Sequence, residues 1–406
     1  MKKVVSTERI PIKLWLNDIE EGALEQAKNV ANLPFAYRHV ALMPDCHVGY
    51  SLPIGGVAAF DNVISPACVG FDIGCGMCAV KTPLTEISEN QLKAVMGQIR
   101  QRVPVGKGIA HFDMQDNKYM PEFFEVPKMG IIYEDNALYN NARKQLGTLG
   151  AGNHFCEIQK GSDGYIWIMI HSGSRKLGHT VAGHYDKIAK DLNRKWHSNV
   201  DAKSELAFLP IDSEEGQAYL IEMDFCLRYA FANRKLMMEQ VLFGINKGGL
   251  NVYDGAGFNS WSSGLDYGID VINIHHNYAA LENHFGRNVM IHRKGATLAR
   301  ENTIGIVPGS QGTKSYIVKG KGNSESFMSC SHGAGRKMSR AAAKRDLDLE
   351  TEKKRLDDQG IFHAIRGEKD LDEASGAYKD IAQVMKNQED LVEILVELSP
   401  LAVVKG

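Results

Sequence analysis

Tyr165-Ile-Trp-Ile-Met-Ile170-His171-Ser-Gly-Ser-Arg175 is the stretch that decides the fold class. Six apolar residues, rich in β-branched and aromatic types, predict a buried strand over Tyr165 to Ile170. A histidine and small polar residues follow where that strand should end. Val271-Ile-Asn-Ile274-His275-His276-Asn277 repeats the pattern: a short apolar strand, then histidine. Between and around these runs the spacing becomes helical. Helices are predicted at about 179 to 196 and, long and amphipathic, at about 214 to 243. Ser88 and Gln91 form a capping box before Leu92, Val95, Ile99 and Val103, which predicts a helix over 88 to 103. Further β-type segments are expected at Thr303 to Val307 and Ser315 to Val318, with helices at 335 to 346 and 387 to 398. Residues up to about Val80 read as short strands and turns. Residues 106 to 140 lack periodicity and read as a surface excursion or lid within a single domain of residues 1–406. Strands and helices mix without regular βαβ alternation, so the class is α+β.

Composition is that of an ordinary globular protein, 44% hydrophobic and 24% charged, in a chain long enough for a substantial core. With 47 basic and 49 acidic side chains the net charge is −2, so bulk charge does not announce a nucleic-acid partner. Arg336, Lys337, Arg340, Lys344 and Arg345 offer a local basic cluster, which a solvated helix face would also show. Glycine is abundant, 40 of 406, as sites handling phosphates and loop-rich folds alike require. Seven cysteines without dense spacing, no signal-peptide pattern and no apolar run long enough to cross a bilayer predict a reducing, cytoplasmic setting without membrane contact.

Several motifs carry possible chemistry. In Asp72-Ile-Gly-Cys75-Gly-Met-Cys78, glycines on both sides of Cys75 let a carboxylate and a thiolate converge on a divalent metal. Half of a structural zinc site, or a redox pair, are the competing readings of Cys75 and Cys78, but neither finds its expected context. His154 in Gly150-Ala-Gly-Asn153-His154-Phe-Cys-Glu157, His171 and His276 are further candidate ligands. Each alone reads as readily as a core histidine. Mixed Asp, Cys and His ligation suits a transition metal better than magnesium or calcium. Pro308-Gly-Ser310-Gln-Gly-Thr-Lys-Ser315 is a Gly-rich turn that could cradle phosphate or simply reverse the chain. Cys330-Ser-His332-Gly-Ala-Gly-Arg336 pairs a glycine-framed histidine with an arginine, the parts of a nucleophile and a phosphate clamp, or of a helix cap.

Taken in order, these elements resemble the RtcB family of RNA ligases. The likeness runs from Met43-Pro-Asp45-Cys-His47-Val-Gly49 through Asp72 to Met77, Gly152-Asn153-His154, His171 to Arg175 and His276-Asn277. It continues in Arg293-Lys-Gly-Ala, Pro308-Gly-Ser310, Ser331 to Arg336, Ala377-Tyr378-Lys-Asp380 and Val404-Lys405-Gly406. The resemblance implies an RtcB-like fold, with central β-sheets flanked by helices and a metal site between them. It implies a GTP- and manganese-dependent ligase that joins RNA 3′-phosphate or 2′,3′-cyclic phosphate ends to 5′-hydroxyl ends, in RNA repair or tRNA splicing. His332 would be guanylylated, with Asp45 supporting that step and Arg175 contacting phosphate. Cys75 would bridge two manganese ions, Asp72 and His276 completing one site, His154 and His171 the other. Asn153, Glu157, Asn277, Pro308, Gly309, Ser310, Ser315, Tyr378 and Lys405 match nucleotide-contacting positions, with Tyr378 on the guanine and Glu157 and Lys405 at its edge. Cys46, Cys78 and Gln311 depart from the pattern and suggest a specialised paralogue. A metal-dependent phosphodiesterase or phosphatase acting on RNA ends is the alternative, and a non-catalytic RNA-end binder is a third reading.

Overall fold

In the computed structural model, which describes residues 1–115, 129–250, 252 and 271–405, strand Ile166–Ser172 is buried along its whole length. It lies inside a seven-stranded antiparallel sheet, between Gly76–Lys81 and Phe155–Gly161. The sheet runs Val271–His275, Gly76–Lys81, Ile166–Ser172, Phe155–Gly161, Val392–Lys405, Ser315–Gly320, Ile304–Val307. Alternation assigns its two faces. Cys78, Ile168 and Ile170 pack under helices Glu89–Arg102 and Glu214–Lys247, against Val95, Ile99, Met238 and Val241. Met77, Ala79, Trp167 and Met169 point the other way and share a cluster with Ile306, Ile317 and Leu398. Strands from both ends of the sheet meet in that cluster, so the sheet curls over its own inner face.

A second sheet has six strands: Lys3–Val5, Ile12–Leu14, Ala36–Tyr50, Leu52–Phe60, Arg287–Lys294 and Asn277–His284. Only the Ile12–Leu14 pairing with Ala36–Tyr50 is parallel. Helix Glu21–Ala31 makes that crossover, a helix that the reading of the first 80 residues as strands and turns passed over. The sheets are joined where Val271–His275 of one continues through His276 into Asn277–His284 of the other. His276 therefore sits at the seam. The α+β class and the sheets-with-helices arrangement hold.

Element boundaries moved in instructive ways. The capping box at Ser88 and Gln91 forms as read, with helix Glu89–Arg102 behind it. The two long helices are Arg175–Lys195 and Glu214–Lys247. The expected helix over 335–346 is shorter, Arg340–Asp346, because Gly335 turns with φ +73° beside Asp45. The expected helix over 387–398 is wrong: helix Ile381–Asn387 stops there and strand Val392–Lys405 follows. Within the 106–140 stretch, residues 116–128 lie outside the described set, as does Gly406. Its end is not a bare loop: helices Ile131–Glu134 and Asn136–Gln145 bury Ile132, Leu138 and Ala142 in the core. All seven cysteines are buried and unbridged. Among the described residues no helix is long and apolar enough to cross a membrane.

Candidate active site

The loop between helix Pro66–Val69 and strand Gly76–Lys81 delivers Asp72 and Cys75. Gly76 is opposite His275, and a Cβ there would collide with the Ile274 carbonyl. Glycine thus lets strand Val271–His275 press close enough to bring His276 beside Cys75. The Cys75 Sγ lies 3.4 Å from His154 Nε2 and 3.2 Å from His171 Nε2. His154 Nε2 is 3.3 Å from Asp72 Oδ2, and His171 Nε2 is 3.3 Å from His276 Nε2. Two triads result, Asp72–Cys75–His154 and Cys75–His171–His276, each with ligand atoms within 4.8 Å of one another. This corrects the division given by the sequence: Asp72 goes with His154, and His276 with His171. Cys75 belongs to both.

The donors are compatible with metal binding. His154 Nδ1–H donates to the Leu149 carbonyl and His171 Nδ1–H to the Asn153 carbonyl, each at 3.0 Å, leaving Nε2 lone pairs toward the centre. Burial, reinforced by neighbouring imidazoles, holds His171 and His276 well below the usual histidine range, so both are neutral ligands. The Asp72 carboxyl is held below the usual carboxylate range, so it supplies a charged oxygen beside these rings. His276 Nδ1 is buried without a hydrogen-bond partner. A carboxylate, a thiol and three imidazoles gathered this closely suit manganese, iron or zinc better than a hard all-oxygen cation.

On the other side of the seam, strand Ser329–Ser331 ends at His332. Its Nδ1 lies 2.6 Å from Asp45 Oδ2, and the backbone N–H groups of His332 and Gly333 donate to the same oxygen at 3.0 and 3.3 Å. Nδ1 is thereby the protonated nitrogen, and Nε2 keeps its lone pair. Asp45 is fully buried, and His332 holds its carboxyl below the usual range despite that burial. Its placement follows from a break in strand register. Leu42 pairs with Gly56 but His47 with Ile54, so Met43-Pro44-Asp45-Cys46 bulges out of the six-stranded sheet. The His332 and His276 rings are 4.9 Å apart.

One cleft of about 610 Å³ connects these groups. Asp72, Cys75, His171 and His276 line it together with His332, Glu157, Tyr378 and Lys405. Beside Tyr378 and Lys405 a residue the sequence did not single out, Glu373, organises the wall. It accepts from Arg340 Nε at 2.7 Å, from Arg336 Nη1 at 3.1 Å and from the Tyr378 hydroxyl, with Lys405 Nζ 4.0 Å away. In the acidic run around it, Glu373 reads as one more solvated charge. The arginines of 336 and 340 were the available hint. Burial raises the Glu157 carboxyl to about 7 against the pull of Lys405 and of Gln159, whose Nε2 donates to it at 2.7 Å.

Other expected contacts fall differently. Asn153, Pro308, Gly309, Ser310 and Asn277 line the cleft. The Asn277 amide is already committed, donating to the Asp72 carbonyl at 3.2 Å and accepting from Gly295 N–H at 2.7 Å. In the 308–315 turn, Gly309 N–H donates to Ser315 Oγ, Ser310 N–H to Thr313 Oγ1 and Gly312 N–H to Ser375 Oγ. These donors brace the turn, so the backbone cradle expected from the sequence is not open there. Ser315 is buried behind the turn. Arg175 is not in the cleft wall: it packs behind His154, with Nη1 3.2 Å from Nδ1 and Nε donating to Thr148 Oγ1. Cys78 faces the hydrophobic core, Cys46 is buried in the bulge, and Gln311 donates to the Glu373 carbonyl.

Comparison with known proteins agrees with this geometry. The family model described as tRNA-splicing ligase RtcB matches residues 26–406. The chain is 35% identical to the RNA-splicing ligase RtcB of Escherichia coli K12, over 100% of this chain and 99% of that protein. It is 32% identical to the tRNA-splicing ligase RtcB of Thermococcus kodakarensis, over 98% of this chain and 95% of that one. The RNA-splicing ligase RtcB homolog 1 of Entamoeba histolytica is 32% identical, over 95% of this chain and 84% of its own length. With a match along nearly the whole sequence, and a buried Asp, Cys and His cluster opening on the same cleft as His332, the chain belongs to the RtcB family.

Proposed function

We propose that this protein is an RNA ligase that uses GTP and two manganese ions to join RNA 3′-phosphate ends to 5′-hydroxyl ends, as a single ligase domain in the cytoplasm. The observation that carries the reading is His332, whose Nδ1 is held by Asp45, whose ring lies 4.9 Å from that of His276, and which lines one cleft with Cys75, Glu157, Tyr378 and Lys405. Bound manganese would supply the positive charge that phosphoryl groups need as they transfer. The residues do the rest. His332 Nε2 attacks the α-phosphorus of GTP and pyrophosphate leaves. Asp45 keeps Nδ1 protonated and stabilises the charged imidazole that forms. The guanylyl group passes to the RNA 3′-phosphate, the partner's 5′-hydroxyl attacks that end, and GMP departs. A 2′,3′-cyclic phosphate is opened first. Tyr378 offers a ring for guanine, while Glu157 accepts from its N–H edge and Lys405 donates to its carbonyl. Family membership and seven unbridged cysteines support RNA chemistry in a reducing compartment.

The test is ligation of a 3′-phosphate RNA to a 5′-hydroxyl RNA with manganese, with and without GTP. Joined product that requires GTP supports the reading. Phosphate release or ring opening that proceeds equally without GTP, and no joining, would favour the hydrolase instead. A pH dependence also follows. Glu157 accepts from guanine only when ionised, and its carboxyl is raised to about 7. Below that pH the acid is neutral and the charge-assisted acceptor gives way to a weaker one. Guanine-nucleotide affinity should therefore rise from pH 6 to pH 8, and Glu157→Gln should flatten the titration.

A further inference from the structure

Two buried residues outside the cleft touch every segment that delivers a metal ligand. Both lie mid-way along helix Glu214–Lys247, and neither is exposed at all. Among the described residues, Arg234 has no carboxylate hydrogen-bond partner. Its Nη1 donates to the Gly74 carbonyl at 2.8 Å and the Ser172 carbonyl at 2.9 Å, its Nη2 lies 3.1 Å from His275 Nδ1, and its Nε donates to Asn273 Oδ1 at 2.7 Å. Gly74, Ser172 and His275 are each one residue from a candidate ligand: Cys75, His171 and His276. Asn233 reaches the fourth segment. Its Oδ1 accepts from Gly147 N–H at 2.7 Å, and its Nδ2 lies within 3.3 Å of the Thr148 carbonyl, the Ser172 hydroxyl and the Gly173 carbonyl. That loop ends at Leu149, whose carbonyl orients His154.

A guanidinium buried this deeply carries a desolvation cost that plain packing residues would avoid. Its planar fork can, however, fix several carbonyls in one rigid geometry, where a lysine offers a point charge on a flexible stem. We infer that Asn233 and Arg234 are positioning residues that set the mutual spacing of the four ligand-bearing segments, so that the two triads are preformed for metal. The inference rests on the metal role given above to Cys75 and its neighbours, and it adds the long helix to the strand pairing across Gly76 as a determinant of that spacing.

Cobalt titration of the full-length protein tests it, read by thiolate-to-cobalt charge-transfer absorption and by ions bound per chain, beside the melting temperature. The variants are Arg234→Lys, Asn273→Ala, which removes the partner of Nε, and Ile245→Ala, a buried change further along the same helix. Arg234→Lys should weaken cobalt binding by about 10–100-fold and shift the absorption band. Asn273→Ala should act in the same direction within about 10-fold. Ile245→Ala should lower the melting temperature while leaving affinity and spectrum as in the parent. If Arg234→Lys does not fold, Asn273→Ala decides. Parental cobalt binding in the folded Arg234 and Asn273 variants would overturn the inference, as would equal weakening in Ile245→Ala. A parent protein that takes up no metal would overturn the metal reading itself, and the bracket with it.

Discussion

A protein carrying His332→Ala is expected to acquire no acid-labile label from GTP labelled at the α-phosphorus, while keeping its fold. The parent, given manganese, should become labelled on the denatured chain. The expectation is absolute because no other histidine is equivalent. His154 and His171 both point Nε2 into the ligand cluster, and His276 belongs to the same cluster. Only His332 combines a carboxylate on Nδ1 with a lone pair facing the cleft. Asp45→Asn should leave a residue of activity. Asparagine can still accept the two backbone N–H bonds, but it does not stabilise the imidazolium, and a loss of about 10²–10⁴ in the labelling rate is expected. Undiminished labelling in His332→Ala would remove the histidyl intermediate from the proposal.

The second large effect concerns Cys75. Its sulfur is the one atom common to both triads, so Cys75→Ala is expected to abolish binding of both ions together. His276→Ala and His154→Ala each subtract from one triad and should leave the other able to bind, more weakly. Metal content after dialysis against manganese, measured per chain, separates the cases. Two ions retained by folded Cys75→Ala would show that the sulfur does not bridge. Activity should follow metal content, because neutralising transferring phosphate is the role given to the ions.

What the sequence revealed and what it hid divide along physical lines. Asp72, Cys75, His171 and His276, which the fold gathers into one cluster, could be named as candidates because metal-ligating residue types at strand ends, next to glycines, form a local pattern. The division into triads was not, since it depends on how far strand Val271–His275 approaches across Gly76, a distance between elements. Asp45 could be named from its motif, but the bulge that aims it is a register shift against a strand, invisible in one segment. Arg175, expected as a phosphate contact from its place after His-Ser-Gly-Ser, has a positive φ and lies with Nη1 3.2 Å from His154 Nδ1. Strand Val392–Lys405 was taken in part for a helix because Glu389, Glu393 and Glu397 recur every fourth residue, a helical signal. Pairing with neighbours on both sides overrode it. Glu373, Asn233 and Arg234 escaped notice for a related reason: a buried polar side chain looks like a surface one until its partners are known.

That same strand has a consequence for how the chain is made. Val392–Lys405 lies inside the seven-stranded sheet, between Phe155–Gly161 and Ser315–Gly320, yet it comes after both in sequence. During synthesis from the amino end, those two edges must wait, unpaired, for more than 70 residues after the nearer of them has been built. Open strand edges are templates for pairing between chains. A chain that stops before Val392 is therefore expected to leave both edges open and to aggregate, which light scattering of the truncated protein would check.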